Sequence, residues 1–356
     1  MNEAGAADQG AVSSSLDGLG CGVSVIICCH NSSAKLPATL GRLRSQRDTE
    51  AIPWELIVVD NASSDDTVAV ARQHWPSGGR VPLRVITETR RGVAYARDAG
   101  FAAARYDVVS FIDDDNWVCD RWVARAAEVM SQHPEVGACG GYSEALCHGP
   151  TPQWFQRYQQ YYAIGPASPP AGKLPDTLWF AGMTVRARAW RDLRRGGFRF
   201  LTVFAAEDNE ISLALRLAGW NLLLDEQLRL THVLPATRLT WTYFCELQRS
   251  RFASMVAVDP YRLAIDGSAE STHRLPNTWA TQLAITAMAL LRNLIMRPHK
   301  MIWPRASTFE GDDDVFRIQL HRGRLAGLIR YRREYDANVR AVADAAWREP
   351  GQRVRA

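Results

Sequence analysis

A chain of 356 residues, 47% hydrophobic and 22% charged, has the size and composition of one large globular domain with an appendage, or of two modest domains, and can bury a sizeable core. A net charge of +4 is too small to imply a nucleic-acid partner. Seven cysteines, with no Cys-x-x-Cys pair and no metal-finger spacing, speak against a zinc module and point to a reducing, cytoplasmic setting.

Residues 1–21 are rich in Ala, Gly and Ser and lack both a basic start and an apolar stretch, so they read as a disordered tail rather than a secretory signal. From Val23 to Cys29 the chain is continuously apolar, as a strand buried on both faces would be. Helical spacing follows from Lys35 to Arg47, then a second buried-strand run from Trp54 to Asp60. Asp66–His74 reads as a helix, Leu83–Thr87 as a strand, Gly92–Arg105 as a helix and Asp107–Ile112 as a strand. Such alternation predicts a doubly wound, mostly parallel α/β sheet covered by helices.

In a sheet of this kind ligands bind beyond the carboxyl ends of the strands, and here those ends are polar. The first run ends in His30-Asn31-Ser32-Ser33, the second in Asp60-Asn61-Ala62-Ser63-Ser64-Asp65, and the fourth in Asp113-Asp114-Asp115-Asn116. Three adjacent carboxylates repel one another and call for a compensating cation. A hard divalent ion such as Mg2+ or Mn2+, bridging a carboxylate to substrate phosphates, supplies that compensation.

Together with Gly92-Val93-Ala94-Tyr95-Ala96-Arg97-Asp98 and Phe111-Ile112-Asp113-Asp114-Asp115, taken in order, these blocks resemble the inverting glycosyltransferases of family 2, over residues 22 to about 235. The resemblance implies a GT-A-type fold and a nucleotide-diphospho-sugar donor, with uridine the commonest base and guanosine or deoxythymidine the alternatives. It implies that Asn31, Asp60, Gly92, Arg97, Asp113 and Asp114 line the nucleotide and that Asp115 holds Mn2+ or Mg2+. Asp98 departs from the family, which more often has Asn there, and is expected either to repel phosphates or to pair with Arg97.

Thr177–Val185 reads as a strand with Gly182 inside it, at a place where the family commonly has a segment beside the acceptor. Ala206-Glu207-Asp208-Asn209-Glu210 opens an amphipathic helix whose acidic first turn suits the helix dipole. Its Glu-Asp pair also matches the family's. Displacement of a nucleoside diphosphate by an alcohol needs a base for the acceptor proton, so Asp208 is expected as the base and Glu207 as its orienting, acceptor-holding neighbour. No motif suggests the opposite-face nucleophile of a retaining double displacement. Trp220–Asp225 and Gln227–Val233 read as short strands, and His232 in the second stands where the family often completes its metal site. The helical stretch Thr240–Val258 is rich in aromatics, for sugar stacking or for core packing.

The organisation expected is therefore a transferase domain over 22–258, with a nucleotide half (22–118) and an acceptor half (119–258), followed by a helical extension over 259–356. Trp279–Met296 is too short and polar for a confident membrane span and suits core packing, a homodimer interface or the membrane surface. From Arg317 to Ala356 ten arginines face four acidic residues, as a solvated helix face or as a contact for the inner membrane face or a phosphate-bearing acceptor. A glycan or lipid-linked acceptor is the expected partner. A sugar-phosphate nucleotidyltransferase would need a Gly-rich, basic loop after its first strand, and a non-catalytic carbohydrate-binding protein of this fold would have lost its acidic sites.

Overall fold

The computed structural model describes residues 20–166, 175–266, 278–302 and 309–348. Its first half alternates as the apolar runs predict: β1 (Gly20–Cys29), α1 (Leu36–Arg44), β2 (Trp54–Asn61), α2 (Thr67–His74), β3 (Leu83–Glu88), α3 (Val93–Ala103) and β4 (Tyr106–Asp113). These strands are parallel neighbours in the order β3-β2-β1-β4. All eight residues of β2 are buried, because helices cover both faces of the sheet. Successive side chains point to opposite faces, so Ile26, Ile57 and Phe111 join one core with Leu213 of a later helix, while Val25, Ile27 and Leu56 join another with Leu40 and Trp122.

Beyond β4 the sheet becomes mixed. In chain order follow β5 (Asn116–Val118), α4 (Trp122–Gln132), β6 (Val136–His148), α5 (Phe155–Tyr158), β7 (Gly165–Pro166), β8 (Thr184–Arg186), α6 (Ala187–Arg195), α7 (Glu207–Leu217) and β9 (Asn221–Pro235). β8 pairs antiparallel with both β4 and β6, β9 lies parallel to β6, and β5 pairs antiparallel with β9. The result is the helix-flanked α/β sheet expected, closed by a helical C-terminal region of α8 (Trp241–Ser254), α9 (Asp259–Asp266), α10 (Trp279–Met296), α11 (Pro298–Ile302), α12 (Asp313–Arg330) and α13 (Tyr335–Ala343).

Four expectations need correction. Only Thr184–Arg186 of the stretch 177–185 is a strand, because Gly182 sits at φ +88°, a turn geometry that breaks the extended run. The two short strands expected over 220–233 are one strand, β9, whose pairing with β6 passes an irregularity between Gly140 and Tyr142 instead of stopping. The core packing expected of residues 279–296 is only partial in the single chain: Trp279 and Leu283 lie against Val256, Leu328 and Tyr335, but Thr286 is the one buried residue of α10, and Met288, Leu291, Ile295 and Met296 are more than half exposed. Among the described residues no helix is long and apolar enough to cross a membrane. Of the expected tail, residues 1–19 lie outside the described residues, and Gly20 and Cys21 belong to β1.

The C-terminal basic excess is partly internal rather than a solvated face. Arg324 of α12 forms a two-pronged ion pair with Asp259, at 3.1 and 2.8 Å, and Tyr335 of α13 donates to the same carboxylate at 3.0 Å. The aromatics of α8 divide likewise. Trp241 and Phe244 are buried against Trp154, Tyr158 and Phe316, whereas Phe252 is half-buried on a cleft wall.

Candidate active site

A cleft of about 430 Å3 opens where β1 and β2 end, lined by Cys29, His30, Asn61, Arg91, Gly92 and Phe204 among others. Asparagines stitch its rim. Asn31, at φ +53°, accepts at Oδ1 from Ser64 N at 2.8 Å, and its own N–H donates to the Ser63 hydroxyl at 3.0 Å. Asn61 accepts from Gly92 N at 2.8 Å and donates to the Arg90 carbonyl at 2.7 Å. Gly92 has φ +147°, and a Cβ there would stand 2.3 Å from Val203 Cγ1, so the loop that opens α3 requires glycine. Asp60 is 7% exposed, and its Oδ1 has no hydrogen-bond partner. An orphaned buried acceptor costs about 1–3 kcal/mol, and a charged one more, unless a donor arrives.

The three consecutive aspartates have three different surroundings. Asp113, one third exposed, accepts from Arg97 Nη2 at 3.1 Å. Asp114 is buried beneath Lys35, which donates to it at 2.9 Å, and the Ser32 hydroxyl, which also donates to it. Burial and the neighbouring Asp115 push the Asp114 carboxyl up, against the opposing pull of Lys35. Asp115 lies within 3.2 Å of Arg238, 3.5 Å of His232 Nε2 and 3.7 Å of Lys35.

The sheet itself brings Asp115 and His232 together. Asn116 pairs with His232 in the β5–β9 ladder, and Val233 N donates to the Asp115 carbonyl at 3.0 Å. His232 Nδ1 faces the Tyr162 carbonyl at 2.9 Å and must carry the hydrogen, since a carbonyl only accepts. A neutral ring then turns its Nε2 lone pair toward a carboxylate oxygen, an arrangement that calls for a proton or a cation between them. Carboxylate and imidazole suit a divalent cation as a donor set. Among the described residues no group of three or more His, Cys, Asp and Glu side chains is arranged to hold a metal ion, so any cation here would draw its other ligands from substrate or water.

Across the cleft, α7 starts after Ala206 at φ +71°. Arg97, 3% exposed, connects the two acidic sites: it bonds Asp113, lies 3.7 Å from Glu207 and stacks over Phe180 at 4.0 Å. It is therefore an internal strut, with Nε and Nη1 left without hydrogen-bond partners. Asp98 pairs at 3.5 Å with Arg194, not with Arg97 as expected. Asp208 is half-exposed and accepts at Oδ1 from Asn209 N at 2.8 Å and Asn209 Nδ2 at 2.6 Å. Glu210 is wholly buried and accepts from Leu201 N, Thr202 N and the Thr202 hydroxyl, which fixes the loop leading into α7.

Burial pushes Glu210 up to about 7, and burial with the nearby Asp208 also raises Glu207, against Arg97. The unfolded chain releases these protons near 4.5, so between 4.5 and about 7 the folded state binds more of them. Their contribution to stability is full below that window and lost as pH rises through it. His321, lowered by burial, works in the opposite direction but is a single group. We expect the thermal unfolding midpoint to fall between about pH 5 and about pH 8; a rising midpoint in that interval would contradict the assignment.

A second, larger cleft of about 610 Å3 begins at Asn209 and runs past Trp179, Tyr142 and Phe252. Gly182 is not on its wall: the missing side chain lets Trp122 and Leu230 close on the turn, each within 2.8 Å of where a Cβ would stand. Sequence reasoning missed Ser32, Lys35, Arg238 and Tyr162, the residues that hold or face Asp114, Asp115 and His232. The only signal for Ser32 and Lys35 was their place just after β1.

The family model described as Glycosyl transferase family 2 matches residues 24–196. Among similar curated proteins are "Putative glycosyltransferase EpsH" of Bacillus subtilis, 26% identical over 110 residues, or 30% of either chain, and the "Undecaprenyl-phosphate 4-deoxy-4-formamido-L-arabinose transferase" of Aeromonas hydrophila, 32% identical over 114 residues, 32% of this chain and 35% of that protein. The chain spans about a third of the length of the curated relatives it matches. S. aureus TarS 1-349 in complex with UDP is a similar solved structure, at 15% identity and TM-score 0.47 over 91% of this chain and 90% of that one. The matched segment runs from β1 through α6, just under half of the chain, and over it the chain is similar to glycosyl transferase family 2.

Proposed function

We propose that the protein moves a sugar from a nucleotide-diphosphate donor to a hydroxyl of a glycan or lipid-linked acceptor by a single displacement that inverts the anomeric centre. The observation behind this reading is the convergence on one strand-end region of the orphaned Asp60 oxygen, the Asp115–His232 pair and the Glu207–Asp208 pair. Asp60 and the loop around Gly92 receive the nucleoside, with Asn31 shaping the rim. Lys35 and Arg238, beside Asp115, stand ready for the phosphates.

Asp115 and His232 are the residues that would hold Mn2+ or Mg2+. When bound, such a cation neutralises charge on the departing diphosphate. Asp208 takes the acceptor proton. Glu207, clamped by Arg97, sets the start of α7 and so the position of its neighbour. A single displacement inverts the anomeric centre, and no opposite-face nucleophile, which a retaining double displacement would use, is evident among the described residues.

A thermal-shift titration of the full chain with UDP, GDP and dTDP tests the reading. One nucleotide at about a hundred times its Kd should stabilise the fold by about 2.7 kcal/mol in Mn2+, and less in chelator. Failure of all three to bind would remove the donor assignment; equal binding with and without Mn2+ would remove the metal.

A further inference from the structure

Among the described residues the larger cleft has no acidic side chain on its wall, yet it gathers Arg157, Arg251 and Arg262 with the rings of Tyr142, Trp179 and Phe252. Arg251 is half-buried, on α8, and makes neither an ion pair nor a side-chain hydrogen bond among the described residues. Arg157 meets Asp313 at 3.4 Å, but both side chains are more than half exposed, and pairs of that kind contribute little. Like charges gathered in a partly desolvated cleft repel one another unless an anion enters. Guanidinium forks match oxyanions two-pronged, and aromatic faces beside amide side chains suit the apolar faces and hydroxyls of a sugar chain. The cleft also touches the proposed chemistry, since Asn209 on its wall is bonded to Asp208.

We propose that this cleft takes a saccharide or polyol chain bearing an oxyanion, phosphate or carboxylate, and that Arg251 receives that charge. The word acceptor for this ligand rests on the transferase reading above; the charge preference does not. Anion capture in the cleft would fix the chain's register and so choose which hydroxyl reaches Asp208.

Calorimetric titration of the full chain with maltotetraose, a phosphorylated maltotetraose and tetragalacturonate tests it, with UDP and Mn2+ titrated into the same preparations. At least one charged probe should bind tenfold or more tighter than the neutral one, and which of the two does so identifies phosphate or carboxylate. Arg251→Gln should bring that probe down to the neutral level and leave UDP affinity unchanged. Equal binding of neutral and charged probes, binding of neither charged probe, or undiminished binding by Arg251→Gln would overturn the proposal. Should Arg251→Gln fail to fold by circular dichroism, Arg157→Gln and a salt series on the unaltered chain decide. Binding that weakens in both supports the proposal; binding indifferent to both overturns it. Charged-glycan binding without nucleotide binding would sink the transferase reading and keep this one, and the converse result would do the reverse.

Discussion

Asp208→Asn is expected to slow sugar transfer by about 10²- to 10⁴-fold while leaving nucleotide affinity unchanged. The amide has nearly the shape of the carboxylate and can still accept at one oxygen from Asn209, so the first turn of α7 should keep its form. What is lost is the second oxygen, the one with no partner among the described residues, as a place for the acceptor proton. Asp208 is half-exposed and bonded to Asn209, which lines the larger cleft, whereas Glu207 is buried against Arg97. Single-turnover transfer and nucleotide affinity, measured on the same preparation, separate the outcomes. Near-normal transfer would move the base to Glu207, and a fall in nucleotide affinity would place Asp208 beside the phosphates.

Asp115→Ala should behave differently, abolishing the part of nucleotide affinity that depends on Mn2+ and lowering the rate as well. The substitution spares the Asp115 carbonyl, which accepts from Val233, so the β5–β9 ladder stays closed. It leaves Lys35 and Arg238 without the carboxylate they now face, free to attract a diphosphate directly. Residual, metal-indifferent binding is therefore expected, and the quantity to read is the ratio of UDP affinity in Mn2+ to that in chelator, which should fall to one. A ratio unchanged from the unaltered chain would exclude Asp115 as a cation ligand. His232→Ala should lower the same ratio, because its Nε2 is the other donor of the pair.

The parallel half of the sheet was legible in the sequence because both its faces are covered. Runs such as Val23–Cys29, apolar but for Ser24, and Trp54–Asp60, apolar but for Glu55 and its last residue, form a pattern that needs no partner to be recognised. β9 was harder. Asp225 and Glu226 interrupt its apolar residues, and they look like a turn between two strands until β6 is seen to pair on either side of them. Glycine at residue 182 pointed to a close approach of ligand or protein, and what approaches are the Leu230 and Trp122 side chains.

At the site, the spacing of carboxylates announced the chemistry but not its division of labour. Asp113, Asp114 and Asp115 are equivalent on paper. In the fold Lys35 and Ser32 engage the second, Arg97 engages the first, and only the third meets His232. Those partners are single residues, remote along the chain and unremarkable in context, so no local pattern could have selected them. Arg97, expected at the nucleotide, also spans the two acidic sites through Asp113 and Glu207.

The joining of Asp115 to His232 through the β5–β9 ladder sets an order of events while the chain is being made. β1 to β4 pair with one another within the amino-terminal part, and only the outer edge of β4 waits for β8, so most of that layer can pack as it leaves the ribosome. The cation pair cannot form until β9 has been synthesised and has closed a long loop back onto β5, an entropic cost met late. If the proposed sites hold, nascent chains would present the nucleotide surface well before they could retain a metal ion, and loading with metal would report completion of the fold.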